Sequence, residues 1–260
     1  MRRGIVVLDS SEGAQQAAYT AFHVAARSGM DLVGVVTTDP TDPEQSQPVV
    51  RNFLTGAHAA RVNASTVFLS ERLPSTILYQ FLENDAIFIS RSLAPETIQQ
   101  FISILPWPVW VIPEHRAIRK ILAILDGSPP KSGTLPLASW IARSWSVDLH
   151  LLLPEQLPGE QFPSAQFTGL PITIETLVNP EGDSRAKTLR SKAYSALEKT
   201  GGNLTNSPSS RGFNPDMDHL NQIVQTKMID LLLIDRENSR ISAWDACMNC
   251  DCLVVVSSST

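Results

Sequence analysis

The sequence has few cysteines, few charged residues and no long apolar run. Its three cysteines, Cys247, Cys250 and Cys252, lie close together near the C-terminus, which excludes a framework of disulfide bonds. Charged residues make up 18% of the 260 residues, below the roughly 25% of a typical soluble domain. No apolar run approaches the ~20 residues that span a bilayer, so we expect a protein without a membrane-spanning helix.

The composition favours a folded, mildly acidic protein. Hydrophobic residues account for 43% of the chain, which is enough for a sizeable core and excludes wholesale disorder. The net charge of −5 argues against a nucleic-acid-binding protein that neutralises phosphates. The apolar stretch after Arg3 ends at Asp9 and is too short for a signal peptide, so we expect a cytoplasmic protein.

An internal repeat organises the chain. The apolar runs that end at Asp9 and at Asp126 resemble each other, and these aspartates are 117 residues apart. The runs that begin at Asp31 and at Asp148 are separated by the same 117 residues. Because one offset holds across both pairs of runs, the pattern indicates two copies of one unit rather than a chance similarity between apolar segments.

The second copy is longer than the first. A further pair of matching runs begins at Asp85 and at Asp230, which are 145 residues apart. The second copy therefore carries 28 additional residues. We locate them around residues 154–180 and expect a loop or an extra edge strand there. The repeat predicts two domains, residues 1–114 and residues 119–260.

Each copy alternates apolar runs with helical patterns. Runs such as residues 5–8 and 231–234 are continuously apolar, which is typical of parallel strands that are buried on both faces. Between such runs, apolar residues recur at the spacing of one helix face, as at Ile98, Phe101 and Ile102. The sequence therefore predicts an α/β protein with two tandem, doubly wound parallel sheets.

Both copies resemble domains of the universal stress protein family, and the resemblance covers nearly the whole chain. It depends on four features in order: a first strand that ends in Asp9-Ser10-Ser11 or Asp126-Gly127-Ser128, an Ala-rich or Trp-bearing first helix, a fourth strand opened by Asp85 or Asp230, and a last strand introduced by Trp107-Pro108-Val109.

The resemblance implies a fold, an assembly and a role. Family domains contain a five-stranded parallel sheet of strand order 3-2-1-4-5 and usually pair through their last strands. A tandem chain would make that pair internally, so we expect residues 109–112 and 253–256 to meet and the two copies to pack as an intramolecular pseudo-dimer. The implied role is regulation or interaction in stress physiology through a protein partner that the sequence does not name. Further homodimerisation stays open.

Members of this family that bind ATP carry a Gly-x2-Gly-x9-Gly-Ser/Thr loop after the fourth strand. Glycines there let backbone N–H groups approach phosphate oxygens closely. This chain has no glycine between Gly56 and Gly127 and none after Gly212, so the corresponding loops, residues 90–95 and 235–240, lack glycine. We therefore expect no resident cofactor, and weak binding of an adenine nucleotide stays open.

The aspartates after the first strands mark a candidate nucleotide crevice, at the carboxyl end of a central strand where open α/β sheets bind ligands. Its candidate residues are Asp9, Ser10, Ser11, Asp126, Gly127 and Ser128. In family members that bind nucleotide, this loop contacts the adenosine part. The alternative is that each aspartate and its following serine begin and cap the next helix.

The C-terminal cysteines allow another hypothesis. The spacing of Cys247, Cys250 and Cys252 can hold a soft metal or form a redox pair, whereas buried cysteines pack as small hydrophobic residues. We identify neither a catalytic acid–base pair nor a metal-ligand set of enzymatic type. Three hypotheses remain: a non-enzymatic stress-response module, an adenine-nucleotide sensor, and a thiol- or metal-linked sensor.

Overall fold

The computed structural model describes residues 3–36, 43–69, 77, 86–124, 133–153, 172–176, 204–206, 217–238 and 241–257. The chain falls into two compact units. Unit 1 contains Met1–Ala117 and Cys252–Val256, and unit 2 contains Ile118–Asp251 and Ser257–Thr260. Within the described residues, no helix is both long enough and apolar enough to cross a membrane.

Strands alternate with helices in unit 1. Its strands are β1 (Arg3–Leu8), β2 (Asp31–Val36), β3 (Ala64–Phe68), β4 (Ala86–Ser90), β5 (Val109–Ile112) and most of β11 (Leu253–Ser257). Its helices are α1 (Glu12–Ser28), α2 (Pro43–Ala59) and α3 (Pro95–Ile104). Parallel pairing gives the order β3-β2-β1-β4-β5. This arrangement confirms the predicted α/β class and the strand order 3-2-1-4-5.

The last strand of the chain pairs with β5 in unit 1. The pairing is antiparallel, with Val254 opposite Val111 and Val256 opposite Val109. The two segments that we expected to meet are therefore hydrogen-bonded neighbours. Packing of the two copies as a pseudo-dimer stays a prediction, as do the domain boundaries.

Unit 2 is likewise built of strands and helices. Its strands are β6 (Lys120–Ile124), β7 (Asp148–Leu153), β8 (Ile172–Thr176), β9 (Leu204–Asn206) and β10 (Leu231–Asp235), and its helices are α4 (Thr134–Trp145), α5 (Met217–Lys227) and α6 (Ala243–Asn249). The parallel order is β10-β6-β7-β8-β9. We expected a loop or an edge strand around β8, but β8 lies between β7 and β9.

Burial explains the continuous apolar character of the central strands. All of β4, β5 and β10 is buried, and so is β1 beyond its first residue. Phe88 and Trp110 pack side by side in this core, with ring centroids 5.3 Å apart. Helix α3 buries Ile98, Phe101 and Ile102, the residues whose spacing predicted it. The charged and hydroxyl side chains of these four strands lie only at the strand ends.

Asp230 ties together the amino ends of two strands in unit 2. Its Oδ2 atom accepts the backbone N–H groups of Arg119 at 2.9 Å and of Lys120 at 3.1 Å. Its own N–H donates to the carbonyl oxygen of Lys120 at 3.0 Å. An aspartate before the fourth strand thus satisfies backbone donors at the start of the first strand. Its counterpart Asp85 lies outside the described residues.

Gly34 in β2 provides a test of this packing. A Cβ atom at Gly34 would lie 2.6 Å from Cδ1 of Leu8 and 2.8 Å from Cε1 of Phe53. We expect Gly34→Val to lower the free energy of unfolding by about 1–3 kcal/mol, because the new methyl groups overpack this contact. Urea unfolding followed by circular dichroism measures the change. The control Ser65→Val, at an exposed position of β3, should change stability by less than about 0.5 kcal/mol. Equal losses in both variants would contradict the packing.

Candidate functional site

The candidate site in unit 1 begins where β1 ends. The Oδ1 atom of Asp9 accepts the backbone N–H of Ser11 at 2.7 Å. Ser11 is the N-cap of α1, and its Oγ atom accepts the backbone N–H of Ala14 at 3.1 Å. These are the bonds of the capping alternative, because they satisfy backbone donors at the start of a helix. Ser10, between them, is exposed. Nucleotide binding by Asp9, Ser10 and Ser11 stays a prediction.

The turn after β4 is closed by serine side chains. Ser90, the last residue of β4, is only 2% exposed. Its Oγ atom accepts the backbone N–H of Ser92 at 3.0 Å and lies 2.7 Å from the Oγ atom of Ser92. The N–H of Arg91 donates to the carbonyl oxygen of Ile112, at the end of β5, at 2.8 Å. A hydroxyl group therefore holds this turn in the place where ATP-binding family members have a glycine-rich loop.

The turn after β10 in unit 2 is built in the same way. The Oδ1 atom of Asp235 accepts the N–H of Glu237 at 2.9 Å, and the N–H of Arg236 donates to the carbonyl oxygen of Ser257 at 2.9 Å. Asp235 therefore takes the place of Ser90, 145 residues earlier. Burial lowers the pKa of Arg236, and the neighbouring carboxylates of Asp235 and Glu237 act in the opposite direction.

The first turn of α1 packs closely against the β4 turn. A Cβ atom at Gly13 would lie 2.2 Å from the Oγ atoms of Ser90 and Ser92. An anion at the start of a helix meets the positive end of the helix dipole. Beside Gly13, two hydroxyl groups already occupy the space next to the first turn of α1. The sequence carries no local signal for Gly13, because its importance depends on a turn that is distant in the chain.

A pair of hydroxyl groups holds the start of α4 in unit 2. The candidate residues of the second copy, Asp126, Gly127 and Ser128, lie outside the described residues. The Oγ1 atom of Thr134 lies 2.5 Å from the Oγ atom of Ser257, and that hydroxyl donates to the carbonyl oxygen of Ile234 at 3.3 Å. Because Ser257 has one hydroxyl hydrogen, Thr134 is the donor of the first bond. The pair ties the start of α4 to β10.

A cleft of about 810 Å³ opens beside Asp9, between α1 and α2. Such a volume is within the range of small-molecule sites, roughly 300–1,000 Å³. We refer to it as the α1–α2 cleft; it is lined by Leu8, Asp9, Ser10, Ala14, Gln15, Ala18, Tyr19, Phe22, Pro48, Val49, Arg51, Asn52, Phe53, Thr55, Gly56 and Ala59. The cleft brings Asp9 and Ser10 together with residues of α2, a helix in which sequence analysis found no candidate.

Three aromatic side chains are among the residues that line the α1–α2 cleft. The ring centroids of Phe22 and Phe53 are 5.3 Å apart, and Tyr19 contacts Phe22 edge-on at 6.2 Å. Phe22 and Phe53 are buried, whereas Tyr19 is 53% exposed. A Cβ atom at Gly56 would lie 2.5 Å from Cε2 of Phe22, so the two helices approach closely at that point.

A polar cluster joins α1 to the segment after β5. The backbone N–H of His115 donates to Oε1 of Gln16 at 3.0 Å, and its Nδ1 atom lies 3.1 Å from Oγ1 of Thr20. The Thr20 hydroxyl donates its one hydrogen to the carbonyl oxygen of Gln16 at 3.0 Å. Thr20 Oγ1 is therefore the acceptor in its contact with His115, and Nδ1 of His115 is the donor. The ring of His23 meets that of His115 edge-on, with centroids 6.3 Å apart.

Burial lowers the pKa of both histidines. For His23, burial is the largest cause, and the positive charges of Arg27 and His115 act in the same direction. For His115, burial is the cause. The sequence did carry a signal for this cluster, since Gln16, Thr20 and His23 recur at the spacing of one helix face. The sequence carried no signal that His115 would join the cluster, because His115 lies 95 residues beyond Thr20.

The three cysteines are buried and form no disulfide bond. Cys247 lies in α6, Cys250 ends that helix, and Cys252 directly precedes β11. Within the residues that the structure describes, no group of three or more His, Cys, Asp or Glu side chains could hold a metal ion. The described part of the chain therefore contains no metal cluster of this kind, and a thiol-linked role of the cysteines stays a prediction.

Comparison with solved structures identifies the fold. A universal stress protein from Archaeoglobus fulgidus DSM 4304 is similar over 99% of this chain and 96% of its own, with 11% sequence identity and a TM-score of 0.70. The chain has the universal stress protein fold. A functionally unknown protein from Pseudomonas aeruginosa PAO1 is similar over 100% of this chain and 93% of its own, with 14% identity and a TM-score of 0.61. No protein-family model and no curated protein matches the sequence.

The histidine pair makes stability depend on pH. A pKa below the ordinary value of 6.5 in the folded state means that protonation favours the unfolded chain. Stability should therefore be full above pH 6.5 and should fall as the pH drops below that value. Urea unfolding at several pH values measures this loss, which His23→Gln should reduce. The control His58→Gln, at an exposed position of α2, should leave the loss unchanged, and an identical pH profile in His23→Gln would contradict the assignment.

The cysteines provide a second test. We expect Cys250→Ser and Cys252→Ser each to cost about 1–3 kcal/mol of stability, because each places a hydroxyl group in a buried, apolar position. Thermal unfolding measures this loss, and the matched alanine variants separate the cost of the hydroxyl from that of lost volume. Elemental analysis of untagged protein should find the same trace metal content in the wild type and both variants. Stoichiometric zinc, copper or iron in the wild type would overturn the structural role.

Proposed function

We propose that this chain is a tandem member of the universal stress protein family that acts in the cytoplasm as a non-enzymatic regulatory or interaction module. Its fold supports the family, and the absence of glycine from both loops supports the loss of the ATP phosphate loop. The observation that carries the proposal is the construction of the two turns, which Ser90 and Asp235 close with their side chains. Such a module acts by binding a protein partner.

The backbone amides of these turns already have acceptors. In a glycine-rich loop, free N–H groups surround the phosphate oxygens. Here the N–H groups of Ser92 and Glu237 donate to side chains, and those of Arg91 and Arg236 donate to carbonyl oxygens of the neighbouring strands. A phosphate would have to displace these bonds. In unit 2 it would also meet the negative charge of Asp235 and Glu237, which costs further free energy.

A specific observation favours a second candidate, an adenine-nucleotide sensor. Asp9 and Ser10 line the α1–α2 cleft, whose volume of about 810 Å³ would accommodate a nucleoside. The Asp9 carboxylate accepts one bond from Ser11 and has capacity for further donors, such as ribose hydroxyl groups. Under this alternative, binding would depend on the nucleoside and little on the phosphates.

Titration with ATP distinguishes these candidates. We expect isothermal titration calorimetry at millimolar ATP to give no binding, or a weak event that Asp9→Ala abolishes, because the turn amides are not available to phosphates. Asp218→Ala, at an exposed position of α5, is the matched control and should change nothing. Micromolar binding that persists in Asp9→Ala would contradict both the proposed loss of the phosphate loop and the position of the site.

A further inference from the structure

We propose that the α1–α2 cleft binds a small amphipathic organic anion, with an apolar aromatic or aliphatic body and one carboxylate group. The inference goes beyond the proposed function and does not depend on a role in stress response. It rests on the size of the cleft, on its apolar wall and on the placement of its two charged residues.

The wall of the cleft suits an apolar ligand body. On α1, the small side chains of Ala14 and Ala18 leave room for a ligand, and the largely buried rings of Phe22 and Phe53 also line the cleft. Tyr19 is 53% exposed, so a large part of its ring surface is left to solvent. Small-molecule sites are typically concave, mostly apolar and furnished with a few polar groups that fix orientation. The α1–α2 cleft has this composition.

The cation of the cleft suits a carboxylate. Arg51 is exposed on α2, and no hydrogen bond or ion pair of its side chain is found among the described residues. In contrast, Arg116 of the same unit pairs with Glu114. A guanidinium group binds a carboxylate through two parallel hydrogen bonds. Asn52 and Thr55, which also line the cleft, add neutral polar groups beside Arg51.

The second charged residue limits the ligand to a single acidic group. Asp9 lines the cleft where β1 ends, and its carboxylate repels a second anion there. A ligand with several negative charges, such as a triphosphate, is disfavoured because it would extend towards Asp9. A hydroxyl or amide group on the ligand is compatible with Asp9, because a carboxylate accepts hydrogen bonds. The two charges therefore orient an amphipathic monoanion with its acid towards Arg51.

Isothermal titration calorimetry with 4-phenylbutyrate and its uncharged amide, 4-phenylbutyramide, tests the proposal. The wild-type chain should bind the acid about tenfold more tightly than the amide, because only the acid pairs with Arg51. Arg51→Gln should remove this difference and leave the affinity for the amide unchanged. The matched control Arg61→Gln, at an exposed position just beyond α2, should leave both affinities as they are.

A second variant tests the location. Ala18→Phe fills the cleft and should weaken the binding of both probes about tenfold or more. Circular dichroism establishes whether this variant folds; if it does not, the exposed Arg51→Gln decides the question. The proposal is overturned if neither probe binds at millimolar concentration, if the wild type binds acid and amide equally, or if Arg51→Gln retains the preference for the acid. Unchanged binding in folded Ala18→Phe also overturns it. Neither probe carries a phosphate group, so these results leave the proposed loss of the phosphate loop to its own test with ATP.

Discussion

Four strands of this protein are buried along almost their whole length, and their charged and hydroxyl side chains lie only at the strand ends. Strands β4, β5 and β10 are buried throughout, and β1 is buried beyond its first residue. A polar side chain within such a strand would have to find a partner in an apolar core or lose hydration free energy. The residues of the candidate site follow this constraint: Asp9 comes directly after β1, Ser90 ends β4 and Asp235 ends β10.

The same constraint explains how two copies keep one backbone geometry with different side chains. A hydroxyl group at Ser90 and a carboxylate at Asp235 both accept an N–H from two residues further along the chain. Both turns are held in addition by a carbonyl oxygen of the neighbouring strand. In both turns a side chain, rather than glycine, makes the connection from strand to helix. That side chain accepts a backbone N–H of the kind that a glycine-rich loop donates to an anion. The strand connection is therefore independent of phosphate binding.

Local patterns predicted the fold well and the candidate site in part. Continuous apolar runs indicated buried parallel strands, and the spacing of Ile98, Phe101 and Ile102 indicated α3. The role of Ser11 as a helix cap also followed from local pattern, because a cap bonds to the first turn of its own helix. The placement of β8 was less accurate. The insertion was expected to form a loop or an edge strand, and nothing local indicated that β9 would pair beyond β8.

The sequence by itself determined which segments form strands and helices and which polar residues lie at the strand ends, because these properties depend on the spacing of neighbouring residues. Only the tertiary structure decided which of these residues meet. The contact of Gly13 with Ser90, the histidine pair and the α1–α2 cleft each join segments that are distant in the chain. The cleft depends on how closely two helices pack, and residues such as Gly56, which lacks a side chain, and Phe22 set that distance jointly. Such a distance follows from complementary surfaces, which no single segment contains.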